Sequence, residues 1–170
     1  STNAALVTVL QESQGDAALN SLTAFTARLR KLRQAGLPAQ TCVVLLRTFV
    51  NGASNHLQRA SHSSEEWCCK LDTAVLDFLE ELLGATLNDS QRHQTFLPLK
   101  LGGLGLHSAS AKRHAAYVAS WEQCLADVAA SVGATSAAGL FSHATLTQAS
   151  LQAAEAGLRT QGVTGRQRSA

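Results

Sequence analysis

The chain has 170 residues and a net charge of +2 at pH 7, a length that suits one domain of ordinary size and is short for two large ones. Its hydrophobic residues, 45% of the total, are mainly Ala, Leu and Val, a mixture that favours helices over sheets. No apolar run approaches the roughly 20 residues of a membrane span, and no signal peptide is recognisable, so we expect a soluble, intracellular protein without a membrane partner.

The first third of the chain predicts three helices. Residues 3–12 favour a short helix that Gly15 and Asp16 interrupt, and Asp16 is placed to cap the next one. Over 17–35, apolar residues recur every three or four positions, which predicts an amphipathic helix ending at Gly36. Pro38 begins the next helix, whose apolar middle predicts a central position and which continues to Arg59.

The middle of the chain carries strong boundary signals. Ser63 followed by Glu66 indicates a capping box, and the apolar stripe after it ends at Gly84. A short helix is expected over 88–95, and Pro98 disfavours helical geometry at the residue before it. Ser108 is placed to cap a long helix after an extended loop over 98–106.

That long helix is predicted to bury one face, formed by Ala111, Ala115, Val118, Trp121, Leu125, Val128 and Val132. A final helix follows over 147–160, and the residues after it are expected to fray. We therefore predict an all-α fold, an irregular bundle of about five to seven helices with a Gly-rich extended loop. Its parts would be a weakly assigned N-terminal helix (1–15), a helical domain (16–132) and a C-terminal helical extension (133–170).

Charge is segregated along the chain more than the net value suggests. The segment 28–59 holds six basic residues and no acid, and 90–121 holds four, again with no acid. Six of the twelve acidic residues lie in 65–81, with Lys70 as the one basic residue there. This pattern predicts a basic face that binds a polyanion and an acidic face turned away from it.

Catalytic and metal-binding patterns are weak. The carboxylates cluster on one helix, where a solvated face is the ordinary outcome, and the six histidines have no metal-ligand spacing. The four cysteines, Cys42, Cys68, Cys69 and Cys124, lack zinc-finger spacing and are expected to be reduced core and boundary residues. We predict no cofactor and no metal in this chain.

The segment LPLKLGGLGL contains Gly102, Gly103 and Gly105 inside a leucine-rich run. It lacks the phosphate-loop pattern GxxxxGK[ST] and the order GxGxxG. Two interpretations stay open: a sharp turn or close packing against a neighbouring helix, or bare backbone that approaches a nucleic-acid strand with the help of the basic residues around it.

The string LPLKLGGLGLHSASAKRHAAYVASWEQCL, preceded by LLRTFVNGASNHLQRA and WCCKLDTAVLDFLEELLG, resembles the segment after the polymerase palm in LINE-type (non-LTR) retrotransposon reverse transcriptases. The match runs in order over residues 19–125. Arg47 and Arg59 match the LLR motif of that family and the Arg that follows it, Asp72 the Asp of its acidic helix, and the three glycines its GGLGL motif.

The resemblance implies a thumb-like module that grips template and product by their phosphates, as RNA, DNA or an RNA–DNA hybrid. The candidate binding residues are Arg28, Lys31, Arg47, Arg59, Lys100, Gly102, Gly103, Gly105, Lys112 and Arg113. No two aspartates are adjacent in this chain, so the two-metal site of a palm is missing, and any divalent metal would belong to a palm supplied in cis or in trans. The alternative is a non-catalytic helical interaction or structural bundle that retains only the ancestry.

Overall fold

The computed structural model describes residues 2–134 and 136–162, with side chains from residue 13 onward except those of 137 and 143. Within these residues the protein is all-α, with seven α-helices, one 3-10 turn and no strand, as the composition predicts. The elements, in chain order, are α1 (Thr2–Gln34), α2 (Ala39–Ala60), α3 (Glu65–Leu83), α4 (Asp89–Thr95), the 3-10 turn (Leu99–Leu101), α5 (Ala109–Ser131), α6 (Ala137–His143) and α7 (Thr145–Thr160).

Helix α1 is continuous from Thr2 to Gln34, so the predicted interruption at Gly15 and Asp16 is wrong. The reason lies on α3, where the indole Nε1 of Trp67 donates a hydrogen bond of 2.8 Å to the carbonyl oxygen of Gly15. A Cβ at position 15 would lie 2.6 Å from Cδ1 of that indole. The glycine therefore permits close packing between two helices, and it does not end one.

The ends of α2 and α3 lie where the local sequence signals predict them, except for the N-cap of α3. Pro38 stands at the N-terminal boundary of α2, and Gly84 ends α3 in the left-handed conformation with φ of 67°, both as predicted. The cap of α3 is Ser64, whose hydroxyl accepts from the N–H of Trp67, so the predicted capping box of Ser63 is wrong. Only Ser63 has a Glu three residues on, but Ser64 is the serine that directly precedes the first helical residue, Glu65.

The segment between α3 and α5, residues 84–108, is tightly hydrogen-bonded. Asn88 and Gln91 form a reciprocal capping box at the start of α4, which ends before Pro98 as predicted. The predicted extended loop contains the 3-10 turn and then runs without regular structure to Ser108. The hydroxyl of Ser108 accepts from the N–H of Ala111 and caps α5, as predicted.

The main core lies between α1, α2, α3 and the start of α5. Its fully buried leucines include Leu22 of α1, Leu46 of α2, Leu79 of α3 and Leu106 of the loop before α5. The rings of Phe25 and Phe49 stack at 4.3 Å between centroids along the α1–α2 contact. The prediction that α2 is central holds for one side only, since Val44 and Leu45 on its other side are exposed.

A second, smaller core lies where α5 meets α6 and α7, around Tyr117, Leu151 and Ala154. The predicted buried face of α5 is only partly correct. Val118 and Trp121 are partly buried against this core, but the fully buried residues are Ala109, His114, Tyr117 and Ala129, and Val132 is 63% exposed. His114 and Tyr117 lie on the buried face. The prediction missed them because it followed the spacing of apolar residues only.

No helix among the described residues is long and apolar enough to cross a membrane. All four cysteines are free, as predicted: Cys42 and Cys68 are buried, Cys124 is partly buried and Cys69 is exposed. Burial raises the pKa of the Cys68 thiol to about 11. Cys68 therefore stays a protonated core residue at neutral pH.

Two helix-interior glycines give a matched test of the α1–α3 contact. We expect Gly15→Ala to destabilise the protein by about 1–3 kcal/mol, because the new methyl group meets the Trp67 indole. Gly52→Ala in α2 meets no neighbour within 4 Å and should stabilise by about 0.5–1 kcal/mol through helix propensity. Urea unfolding measures both changes, and an equal gain at the two positions would contradict the Trp67 packing.

Candidate nucleic-acid interface

The glycine-rich loop is anchored by side chains of α2. Arg47 Nη1 donates to the carbonyl oxygen of Leu104 at 3.4 Å. One turn further along, Asn51 Nδ2 donates to the carbonyl of Gly105 at 3.0 Å, and its Oδ1 accepts from the N–H of His107 at 2.9 Å. The loop backbone is thereby paired with the protein itself, which leaves these groups unavailable to a ligand.

The same face of α2 continues to the first residue of α5. Gln58 is 1% exposed, and its Nε2 donates to the carbonyl oxygen of Ala109 at 2.6 Å. A buried amide of this kind is stable only when it is hydrogen-bonded, so its partner is fixed in position. The sequence analysis missed Asn51 and Gln58; their signal is a row of polar residues at helical spacing beside an apolar stripe.

Asp72 on α3 holds the start of α5 from the other side. Its Oδ1 accepts from the N–H of Ala109 at 2.6 Å. Its Oδ2 accepts from the hydroxyl of Ser108 at 2.8 Å, from the N–H of Ser110 at 3.1 Å and from the hydroxyl of Ser110 at 2.6 Å. A carboxylate at a helix N-terminus is favoured by the free N–H groups and by the helix dipole.

The three glycines have reasons inside the fold. Gly102 and Gly105 have φ of 79° and 69°, a region that side-chain-bearing residues rarely adopt. Gly103 is buried, and a Cβ there would overlap the carbonyl group of Leu97. At Gly105 a Cβ would lie 3.3 Å from Cδ of Arg47. Turn geometry and close packing therefore account for all three, which is the first of the two interpretations that the sequence left open.

Acidic residues of α3 neutralise three of the arginines. The prediction of an acidic face turned away from the basic one is wrong. Helix α3 packs beside both α1 and α5, so its carboxylates lie next to basic residues of other helices. The ion pairs that join α3 to other helices are Arg30–Glu81 at 2.7 Å, Arg92–Glu80 at 2.7 Å and Arg113–Glu65 at 2.9 Å. Of these arginines, Arg113 is a predicted binding residue, and its side chain is only 16% exposed.

The other predicted cations differ in exposure. Arg28 and Lys31 are exposed near the end of α1, and Lys100 is exposed on the 3-10 turn. Arg59 is exposed and its Nη2 donates to Oε1 of Gln123 at 2.5 Å. Lys112 is partly buried, with Nζ 2.9 Å from Nδ1 of His107. The partial burial of Lys112, which also lowers its pKa, leaves less of its ammonium group open to a phosphate.

A cavity of about 380 Å³ opens between α1, the α2–α3 connection, α3 and α5. Its walls include the Trp67 side chain, the α2–α3 serines and both signs of charge, among them Arg113 and Asp16. Lys70 and Glu66 at its rim pair with each other at 2.7 Å. Among the described residues no three His, Cys, Asp or Glu side chains converge as metal ligands.

Comparison with known proteins adds no relative: no family model, no curated protein and no solved structure matches the chain. The resemblance to reverse transcriptases therefore stays a prediction from the motifs quoted above. The geometry of the loop and of the basic residues has to support any function by itself.

The Asp72 cap can be tested by removing its carboxylate. We expect Asp72→Ala to lower the free energy of unfolding by about 2–3 kcal/mol, because four hydrogen bonds to the start of α5 lose their acceptor. Asp77→Ala, an exposed position on the same helix, is the control and should change it by less than about 0.5 kcal/mol. If urea unfolding gives equal losses of free energy for the two variants, loss of the cap does not explain the destabilisation by Asp72→Ala.

Proposed function

We propose that the chain is a thumb-like nucleic-acid-binding module related to LINE-type reverse transcriptases, which binds the phosphates of RNA, DNA or an RNA–DNA hybrid. The observation that carries the proposal is the exposed basic end of α1. Arg28 and Lys31 are three residues apart on one surface of that helix. No described carboxylate forms an ion pair with either of them.

Two further features support phosphate binding. The stretch from Arg28 to Arg59 contains no acidic residue. Glu81 of α3 reaches this stretch and pairs with Arg30, so the positive potential proposed for phosphate binding is that of the neighbouring Arg28 and Lys31. Lys100 is exposed on a turn that leads into the loop anchored to α2. A lysine on such a well-anchored segment is a better phosphate ligand than one on a free loop, since less conformational entropy is lost on binding.

The structure reduces the set of contacts that we propose. Arg28, Lys31, Arg59 and Lys100 stay as phosphate contacts because they are exposed. Arg47 and the glycines act by shaping the loop, and Arg113 acts by pairing with Glu65. Such a site would follow the backbone of a nucleic acid with little base specificity.

Polymerisation would need a partner. The chain has no adjacent aspartates, so the metal-binding carboxylates of nucleotide transfer would have to come from a palm in cis or in trans. The role proposed for this chain is to hold the duplex while another domain performs the chemistry.

The alternative is a non-catalytic helical interaction or structural bundle. It is favoured by exposed apolar side chains: Leu99 and Leu101 are each 61% exposed, and Val44 is 46% exposed. Val44 lies one helical turn from Arg47, which contacts the loop that follows these leucines. A surface of this kind suits a protein partner or a polymerase palm better than a phosphate backbone.

Fluorescence anisotropy with a labelled RNA–DNA hybrid, over a salt series, tests the proposal. We expect Arg28→Gln/Lys31→Gln to weaken binding and to reduce the slope of log K against log salt by about 1.4–1.8, because each lost phosphate contact removes about 0.7–0.9. The control Lys70→Gln/Arg159→Gln removes the same charge from other helices and should change binding much less.

Equal losses in the two double variants would indicate nonspecific attraction to net charge and would contradict the proposed site. No binding by the unmodified protein to hybrid, duplex or single strands at low salt would reject the nucleic-acid function. In that case Leu99→Ser/Leu101→Ser, measured by analytical ultracentrifugation against the unmodified protein, tests the alternative: a self-association that this variant abolishes would support it.

A further inference from the structure

Two histidines meet inside the fold at the boundary of its two cores. His62 lies in the connection between α2 and α3, and His114 lies in the second turn of α5. His62 Nε2 is 3.1 Å from His114 Nδ1, and His114 is 6% exposed. One neutral ring can donate to the other, whereas two protonated rings would place N–H against N–H.

Helix α7 packs directly on this pair. Gly157 faces the imidazole of His114, and a Cβ at that position would overlap the ring. The close approach is possible because α7 has a glycine there, although glycine weakens the interior of a helix. The contact adds to the small core of Tyr117, Leu151 and Ala154 that joins α7 to α5.

The surroundings of the pair are more basic than acidic on the α5 side. Arg113 is adjacent to His114 in sequence and is paired with Glu65 of α3. Burial, the neighbouring His114 and Arg113 all lower the pKa of His62. Burial and Arg113 lower the pKa of His114, and Glu65 partly opposes this effect. The Tyr117 ring is 5.6 Å from that of His62 and is uncharged at neutral pH.

The other elements around the pair also carry charged groups. On the open side of His62, the cavity walls carry Asp16 of α1 and the paired Glu66 and Lys70 of α3. On α7, Glu155 and Arg159 each lie two positions from Gly157. Two positions correspond to about 200° around a helix, so both side chains project from the side of α7 opposite to Gly157. No described carboxylate forms an ion pair with either histidine.

We propose that the His62–His114 pair is an acid-sensitive latch that holds α7 on α5 while both rings are neutral and releases it when they are protonated. In the released state each ring is hydrated and has its ordinary pKa of about 6.5. In the closed state the pKa of each ring is lower. The latch is therefore at full strength above about pH 6.5 and weakens as the pH falls through the lowered values of the closed state.

Hydrogen exchange of the full chain, corrected for the intrinsic effect of pH and followed from pH 7.5 to 5.5, tests the latch. Each proton taken up on opening should increase the opening constant by about tenfold per pH unit. We expect α7 amides to lose protection in this range while α2 and α3 amides keep theirs. Retention of α7 protection at pH 5.5 would overturn the proposal.

Matched variants separate the latch from the other histidines. His62→Gln/His114→Asn keeps a hydrogen-bonding nitrogen near each position and removes the titration, so α7 protection should become independent of pH. His56→Gln/His93→Gln removes two exposed histidines and should leave the pH response unchanged. His107 is present in both variants, so its own lowered pKa does not distinguish them.

Histidine ring titrations of the unmodified protein by NMR keep the proposal testable if the latch variant does not fold. His62 and His114 should titrate below about pH 6.5 and together with the α7 amides. Two independent titrations near the ordinary value, or titrations below it without any change in α7, would overturn the latch.

Discussion

The Asp72 carboxylate is the interaction on which the rest of the architecture depends. It binds the first residues of α5, and α5 is the helix that contacts α2, α3, α6 and α7. A small shift at its first turn would move every contact further along the helix. From the opposite side, Arg47, Asn51 and Gln58 of α2 bind the backbone just before and at that turn. The glycine-rich segment is therefore a junction between three helices, with its backbone groups used within the fold.

The sequence predicted most helix boundaries whose cause is local, with the N-cap of α3, displaced by one residue from Ser63 to Ser64, as the exception. Gly84 and Ser108 act through the backbone beside them, so their residue type is sufficient to place an end. Gly15 is different, because its reason is an indole 52 positions away. Without knowledge of that packing partner, a glycine inside a helix cannot be distinguished from one that ends it.

The candidate site was less predictable than the fold, because charge along the chain does not give charge in space. The acidic residues of α3 are separate in sequence from Arg30 and Arg113, yet packing brings them to within 3 Å. Arg28, two residues from Arg30, stays exposed on another side of the same helix. Which cations can meet a phosphate is thus decided by helix rotation, which the amphipathic pattern of α1 indicates only coarsely.

The two proposals concern different parts of the molecule except at Arg59, which donates to Gln123 of α5 and lies three residues before His62. The proposed phosphate contacts belong to α1, the end of α2 and the 3-10 turn, whereas α7 packs on α5 and α6. Release of α7 would uncover the small core around Tyr117 and leave the Asp72 junction in place, because that junction uses α2, α3 and the first turn of α5. Acid would then expose apolar surface at one end of α5 without removing the cations of α1. Under the two proposals together, acid would change the apolar surface at one end of α5 and leave the proposed phosphate contacts of α1 in place.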